Sequence, residues 1–319
     1  MTRYILGRFA QALGVLWAAY TVTFAVLYLL PSDPIALQLG AAGIETDKLT
    51  PAELHTAKAR FGLDRPILEQ YFSDLWGFLR GDLGESIAKQ QSVASLIGDR
   101  LAPTLSLSLA AAVVALLAGT ALAYLASYVR WRPARLVLTR LPSFGASFPQ
   151  FFIALVLIQF LSFNLGLLPA TGIRGWKSLV MPTITISILV ASQLAAVLMR
   201  SFDDTLSQPY IVTARAKGLS RAAVQWHHGL RNALLPATTI LGVLVGLTVT
   251  SSIIAETVFS RNGIGKLAQE AVLAQDVPVV LAIVTLAAAI FVVVNLVVDL
   301  LYPLLDPRIV QGQRKEVTI

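Results

Sequence analysis

The sequence predicts an all-α polytopic membrane protein with six transmembrane helices and a small extramembrane domain between the first two of them. Only 13% of the 319 residues are charged, against roughly 25% in an ordinary soluble protein. Six long stretches contain no charged residue, and about 20 apolar residues are enough to cross the hydrocarbon core as a helix. These stretches are residues 9–32, 101–129, 141–173, 178–199, 232–255 and 277–298.

The composition excludes several classes of protein. Stretches such as 107–125 are apolar nearly throughout, without the alternation of a transmembrane β-barrel. The absence of cysteine excludes disulfides, thiolate catalysis and cysteine-ligated metals. The histidines, His55, His227 and His228, lie outside the uncharged stretches. We therefore predict no catalytic residue and no metal site in this chain.

The distribution of Lys and Arg predicts the orientation of the spans. Basic residues are concentrated in the N-terminal segment, in the loops after the second and fourth stretches, and in the C-terminal tail. The positive-inside rule then places both termini in the cytoplasm. The first stretch is too long for the apolar region of a signal peptide, so we interpret it as a retained span. The net charge of +7 reflects this topology and requires no nucleic-acid partner.

Two extramembrane segments are longer than simple connections. Residues 31–100 lie on the outer side in this topology, and Pro66–Leu79 and the turn at Phe61–Asp64 indicate short helices joined by turns. Two interpretations of this domain are open and compatible: a cap that packs on the spans, and a docking surface for an external partner. The other long segment, residues 200–235, is predicted to be cytoplasmic.

The cytoplasmic segment carries the most specific pattern. Gly218 follows a run of small and basic residues and is placed to stop a helix with a positive φ, and Ser220 is placed to cap the next helix. An apolar stripe at helical spacing follows, with Arg221, Gln225 and His228 elsewhere on the surface. The stripe contains Leu219, Ala222, Ala223, Trp226 and Leu230. This predicts either a projecting helix-turn-helix that fits a groove on a partner or an amphipathic helix in the lipid interface.

These residues resemble a known family. Thr213-Ala-Arg-Ala-Lys-Gly218, followed by Arg231-Asn-Ala-Leu-Leu-Pro236, is similar to the cytoplasmic loop motif of ABC importer permeases of the dipeptide, oligopeptide and nickel branch. Thr213 replaces the Glu of the general motif, and the longer spacing favours the peptide branch. The resemblance covers almost the whole chain through Phe61-Gly-Leu-Asp-Arg-Pro66, Gly81-Asp-Leu-Gly-Glu-Ser86, Pro103-Thr-Leu105, Ser147-Phe-Pro-Gln-Phe-Phe152, Leu168-Pro-Ala-Thr-Gly172, Glu256-Thr-Val-Phe-Ser260 with Gly263-Ile-Gly265, and Asp299-Leu-Leu-Tyr302 with Asp306-Pro-Arg308.

The resemblance implies a type I ABC importer permease fold, and the first-listed permease of a pair. Its domains would be a peripheral transmembrane helix at 1–30, an extracytoplasmic loop domain at 31–100, a five-helix core at 101–305 that includes the coupling loop 200–235, and a cytoplasmic tail at 306–319. The chain would lie in the bacterial cytoplasmic (inner) membrane as a multi-pass subunit. Its partners would be a second, non-identical permease, two cytoplasmic ATP-binding subunits, an extracytoplasmic solute-binding protein, membrane lipid and a peptide substrate.

The resemblance also implies a division of labour between subunits. ATP and Mg would be bound by the partner ATPase subunits, and this chain would bind no cofactor and would not be an enzyme. The sequence supports this independently, because its only Gly-Lys pair, Gly265-Lys266, lacks the upstream glycine of a phosphate-binding loop.

Two groups of candidate site residues follow. In the ATPase-coupling loop, Arg215 and Lys217 would pair with acidic ATPase groups, and Trp226 would be the hydrophobic anchor. The whole coupling set is Thr213, Ala214, Arg215, Ala216, Lys217, Gly218, Leu219, Arg221, Trp226 and Pro236. The translocation-pathway candidates in the fifth span are Thr250, Ser251, Ser252 and Glu256. The hydroxyls of the first three either bond between helices or line a channel for a peptide backbone. Glu256, at the outer end, is a candidate gate or docking contact.

Other functions are weighed against this one. A nickel complex or another small solute is the alternative cargo for the same kind of importer. A secondary transporter is disfavoured because the spans contain no row of carboxylates or arginines for ion coupling. An intramembrane serine protease is disfavoured too: Gly145-Ala-Ser147 resembles the start of a rhomboid-type motif, but Phe148 stands where glycine is expected, and no span contains a histidine base.

Overall fold

The computed structural model describes residues 2–29, 40, 50–60 and 64–305, and the described residues form helices and loops without a β-strand. The predicted turn at Phe61–Asp64 lies mostly outside them, as does the predicted tail at 306–319. The helices are α1 (Thr2–Leu29), α2 (Pro51–Arg60), α3 (Ile67–Leu79), α4 (Val93–Tyr128), α5 (Arg132–Ser147), α6 (Gln150–Leu157), α7 (Lys177–Leu206), α8 (Pro209–Ala216), α9 (Arg231–Val258), α10 (Ile264–Leu273) and α11 (Val277–Leu305), with π-helical segments at Ile158–Asn164 and Val224–Leu230.

The prediction of an all-α polytopic membrane protein is confirmed. Among the described residues, four helices are long and apolar enough to cross a membrane: Leu6–Tyr28 within α1, all of α4, all of α7, and Val277–Val297 within α11. A fifth span is present if α5 and the following helical residues up to Asn164 count as one. The fifth uncharged stretch forms α9, whose 28 residues also exceed the length that a bilayer requires.

The third uncharged stretch, 141–173, does not form one straight helix, which corrects the sequence interpretation. Helix α5 already begins at Arg132, so basic residues assigned to a loop are helical, and the chain then bends by 99° into Gln150–Asn164. Phe148 is extended, with φ −93° and ψ 134°, because the ring of a following proline clashes with a helical conformation at this position. Pro149 therefore sets the bend within an uncharged stretch that composition alone cannot divide.

The second span begins earlier than predicted. Helix α4 starts at Val93 and continues for 36 residues to Tyr128, so residues 93–100, assigned to the outer loop domain, are helical. Pro66–Leu79 was predicted to contain a short helix, and α3 confirms it.

Backbone contacts divide the chain into two compact units. The first is centred on residues 106–261, and its core lies around α7, where Leu194, Leu198 and Phe202 are fully buried. Neighbouring helices approach α7 closely because they present glycine. A Cβ atom built on Gly119 of α4 would lie 3.0 Å from the Ala191 carbonyl oxygen, and one on Gly145 of α5 would lie 2.5 Å from Ser192 Oγ. Small residues thus allow this packing.

The second unit contains residues 9–105 and 262–292 and has two apolar clusters. In one, the first turn of α4 packs on α10 and α11 through residues that include Val93, Leu267 and Ile283. In the other, Tyr20 and Phe24 of α1 pack on Tyr71 of α3, with ring centroids 5.7 and 5.3 Å apart. The described part of the predicted outer segment therefore packs on α1, α10 and α11.

A buried aspartate holds the Gly81–Ser86 loop of the second unit. Asp276 is 2% exposed and accepts hydrogen bonds from Ser86 Oγ at 2.5 Å and from the backbone N–H groups of Ile87 and Ala88, both at 3.3 Å. These bonds supply partners for a carboxyl group that is removed from solvent. The carboxylate therefore connects this loop to the start of α11.

Replacing Asp276 with alanine should release this loop. Two buried donors and one half-buried donor would lose their acceptor, at a cost of about 1–3 kcal/mol for each buried one left unsatisfied. Limited proteolysis of the purified protein should show faster cleavage between residues 81 and 92, and the matched control is Asp99→Ala, because Asp99 is exposed. Equal cleavage rates in the two variants would contradict this role for Asp276.

Candidate coupling site

The predicted helix stop at Gly218 is confirmed. Gly218 has φ +84°, its N–H donates to the Arg215 carbonyl at 3.0 Å, and the N–H of Leu219 donates to the Ala214 carbonyl at 3.3 Å. No atom lies within 4 Å of a Cβ built on Gly218, so the backbone angle alone requires glycine here. The next prediction is confirmed as well: Ser220 Oγ accepts a hydrogen bond from the Ala223 N–H at 3.2 Å.

The chain after Ser220 does not form a separate short helix. A helical turn at Arg221–Ala223 leads into the π-helical segment Val224–Leu230, which leads directly into α9. Because a π-helix bonds each residue to the fifth one along, its side chains advance by a smaller angle than in an α-helix. The apolar stripe inferred from α-helical spacing is therefore interrupted from Val224 onward.

Gln225 shows the consequence of this change of register. The sequence places it on the surface, but it is 1% exposed, and this prediction is wrong. Its side chain donates to the Tyr124 carbonyl at 2.9 Å and to Ser127 Oγ at 2.5 Å in the last turn of α4. The next residue, Trp226, is 59% exposed, and its role as a hydrophobic anchor stays a prediction.

Most of the predicted coupling residues are exposed. Helix α8 packs through Ile211 and Ala214 on Val224, which leaves the basic end of the helix exposed. The exposed members of the coupling set are Thr213, Arg215, Ala216, Lys217, Gly218, Leu219, Trp226 and Pro236, whereas Arg221 is half-buried and Ala214 is buried. Docking of these residues to an ATPase stays a prediction.

Positive charge is concentrated beside this surface. Burial lowers the pKa of Arg221, and the positive charges of Arg130, Arg215 and Arg135 lower it further, whereas the Tyr128 side chain raises it. Asp203 lies 3.8 Å from Arg135, but both side chains are largely exposed, so this pair neutralises the cluster only weakly. An acidic partner surface would relieve the repulsion among these arginines.

The pathway candidates are mostly satisfied within their own helix. Ser251 and Ser252 are buried and Thr250 is exposed. The hydroxyl of Thr250 donates to the Gly246 carbonyl at 3.1 Å, and that of Ser252 donates to the Val249 carbonyl at 2.7 Å. The Ser251 carbonyl accepts a bond from Gln150 Nε2 at 2.7 Å, which connects α9 to α6. These contacts support helix packing, and a channel-lining role stays a prediction.

Sequence reasoning missed the role of Arg261, which it did not single out as a candidate site residue. Glu256 is fully buried and Arg261 is 3% exposed. Burial lowers the pKa of Arg261, while the negative charge of Glu256 raises it, so the two charges stabilise each other. Arg261 Nη1 also donates to the Ser178 carbonyl at 3.1 Å, near the start of α7. The sequence feature that could have indicated this pair is a carboxylate and an arginine five positions apart at the end of an uncharged stretch.

The described residues contain no group of three His, Asp or Glu side chains arranged to hold a metal ion. The coupling surface offers exposed cations, an exposed indole and a fixed turn, a combination suited to binding a protein rather than to chemistry.

Comparison with known proteins identifies the class. The family described as "Binding-protein-dependent transport system inner membrane component" matches residues 94–311, and the corresponding N-terminal family matches residues 1–108. The chain belongs to this family, the membrane permease subunits of ABC importers, which are not themselves enzymes. Members work with ATPase and binding-protein partners.

Two relatives make the placement narrower. The chain is 36% identical over 310 residues to the glutathione transport system permease protein GsiC of Escherichia coli strain K12, covering 97% of this chain and 99% of the relative. It is 37% identical, with the same coverage, to GsiC of Salmonella typhimurium strain LT2. The chain is thus an importer permease of a peptide-type system and a multi-pass membrane protein.

Proposed function

We propose that this chain is the first permease of a bacterial peptide importer and forms half of its translocation pathway. It would lie in the cytoplasmic (inner) membrane with both termini in the cytoplasm and pair with a different permease. Two ATP-binding subunits would carry ATP and Mg, and an extracytoplasmic solute-binding protein would deliver the peptide. The relatives support a peptide cargo because the name of each gives glutathione, a tripeptide, as the transported compound.

The observation that carries this proposal is the exposed turn at Gly218 with Arg215, Lys217 and Trp226 around it. A protein that binds here can fill a pocket with the indole and pair its acidic groups with the two cations. Because Ile211, Ala214 and Val224 pack together, movement of the docked surface would carry α8 and the π-helical segment as one body.

Transport then requires a shift between two populations of the permease. ATP binding would bring the ATPase subunits together and favour the outward-open state, and release after hydrolysis would favour the inward-open state. Residues 31–100 would face the binding protein, the five-helix core 101–305 would carry the pathway, and 306–319 would be a cytoplasmic tail. Thr250, Ser251, Ser252 and Glu256 remain the candidates for contact with cargo along α9.

Reconstitution tests this proposal. The chain would be purified with the permease, ATPases and binding protein encoded beside it and placed in liposomes. Uptake and ATP hydrolysis would be measured with labelled glutathione, a dipeptide and a nickel complex. Peptide-dependent uptake that requires ATP supports the proposal. Stimulation by the nickel complex alone would assign the importer to the alternative cargo, and uptake without the ATPases would contradict the proposed function.

A further inference from the structure

The last turn of α4 is joined to the coupling segment by a partly buried polar contact. One amide nitrogen, Gln225 Nε2, donates both to the Tyr124 carbonyl at 2.9 Å and to Ser127 Oγ at 2.5 Å. Ser127 Oγ in turn donates to the Tyr124 carbonyl at 2.9 Å. The three groups form a closed set of hydrogen bonds, and Gln225 is almost entirely removed from solvent. Separation of the two elements would break these bonds, and any of these groups that stayed buried without a partner would cost free energy.

Two further contacts bring the same elements together. Arg221 Nη2 donates to the Ser127 carbonyl at 3.3 Å, and its guanidinium carbon lies 5.1 Å from the centroid of the Tyr128 ring. The Trp226 ring meets Tyr124 edge-on, with centroids 6.0 Å apart. A cation at the C-terminal end of a helix is favourable because the last carbonyls lack partners within the helix. We call the set of Arg221, Gln225, Tyr124 and Ser127 the α4 latch.

We propose that Gln225 is a positioning residue that makes the last turn of α4 move together with the coupling segment. This inference rests on the proposed function and adds α4 to the elements that receive force from the ATPases. Trp226 is exposed and would bind the partner, although the edge of its ring also contacts Tyr124, whereas Gln225, one residue earlier, is buried against α4. The π-helical register places adjacent side chains on these two surfaces. A displacement of the docked indole is therefore passed directly to Tyr124 and Ser127.

Breaking the latch should separate ATP hydrolysis from transport. In Gln225→Leu the apolar side chain keeps a similar volume but cannot donate to Tyr124 or Ser127. We expect the reconstituted complex to lose at least fivefold in uptake and in peptide stimulation of ATP hydrolysis, while the ATPases still co-purify. The matched control is Gln159→Leu, which removes an exposed glutamine, bonded to Asn164, from the other π-helical segment. This control should behave like the unchanged protein.

Restoring the connection covalently should restore coupling. The chain contains no cysteine, so Ser127→Cys with Gln225→Cys provides the only thiol pair in this subunit. Without a cross-linker the pair should behave like Gln225→Leu. With a short bifunctional thiol reagent, the cross-link should form equally with and without a trapped ATP analogue, and uptake should recover to at least half of its normal value.

Two outcomes would overturn the latch. One is a cross-link that forms in a single nucleotide state or that blocks uptake, because the two elements would then move apart during transport. The other is loss of ATPase co-purification in Gln225→Leu, which would show that Gln225 is needed for the shape of the docking surface and not for transmitting movement. A parent complex that shows no peptide-stimulated ATP hydrolysis would contradict the proposed function instead, and the cross-link yields would still report whether the elements move together.

Discussion

Replacing Gly218 with valine is expected to reduce transport about tenfold and to abolish peptide stimulation of ATP hydrolysis, while membrane insertion stays normal. Gly218 has φ +84°, and a left-handed backbone costs an L-residue roughly 1–2 kcal/mol, with β-branched residues affected most. Because no atom lies within 4 Å of a Cβ built on Gly218, valine would not clash with its neighbours, and the loss of transport must arise from the backbone turn. A cost of this size shifts a two-state equilibrium by about an order of magnitude.

Two further variants test whether the effect of Gly218→Val comes from the turn at this position. Gly218→Asn should keep most activity because asparagine tolerates the left-handed region better than other residues. Gly175→Val carries the same strain at φ +67°, also in open space but in the loop before α7, and should leave coupling intact. Normal peptide-stimulated ATP hydrolysis in Gly218→Val would show that the turn does not transmit movement, and the coupling interpretation would be wrong.

The second large effect concerns Glu256 and Arg261. Arg261→Met should destabilise the permease by about 3–5 kcal/mol, because a buried carboxylate loses its opposite charge and the Ser178 carbonyl loses a donor. Glu256→Leu should destabilise it similarly. The double variant Glu256→Leu with Arg261→Met should recover most of the lost stability, since apolar side chains can replace a buried charge pair. The stability of the three variants can be measured by thermal unfolding in detergent, followed by the fraction of protein that stays monodisperse.

The same double variant tests the pathway assignment of Glu256. A structural role predicts that the stable double variant still transports, because no charge is then needed at this position. Normal stability without uptake would instead indicate that Glu256 contacts the cargo or the gate. If the two single variants were as stable as the parent, the inferred interaction between Glu256 and Arg261 would be wrong.

The features predicted correctly from the sequence are those that depend on composition or on a few neighbouring residues. Uncharged stretches became helices because unpaired backbone groups are too costly in lipid. The turn at Gly218 and the cap at Ser220 were predictable because each depends on one residue and its immediate neighbours. The resemblance of residues 213–236 to the permease motif agreed with the family comparison.

The features that the sequence missed depend on contacts between distant residues or on a change of helix type. The bend at Pro149 lies in an uncharged stretch, where hydropathy indicates the length of an apolar segment but not a change in the direction of its helices. Gln225 was placed on the surface because the π-helical segment was not foreseen, and its partners in α4 lie about 100 positions away. Arg261 was not singled out because a charge just after a span usually faces water. Its burial depends on Glu256 and on the start of α7.

The contact between Ser86 and Asp276 has a consequence for biosynthesis. The two residues are 190 positions apart, and chains emerge from the ribosome at roughly 5–20 residues per second. Asp276 is therefore synthesised on the order of ten seconds or longer after the Gly81–Ser86 loop, and the loop lacks its hydrogen-bond acceptor during that time. A truncated subunit that ends before Asp276 lacks that carboxylate. We therefore expect proteases to cleave its loop faster than the loop of the full-length subunit.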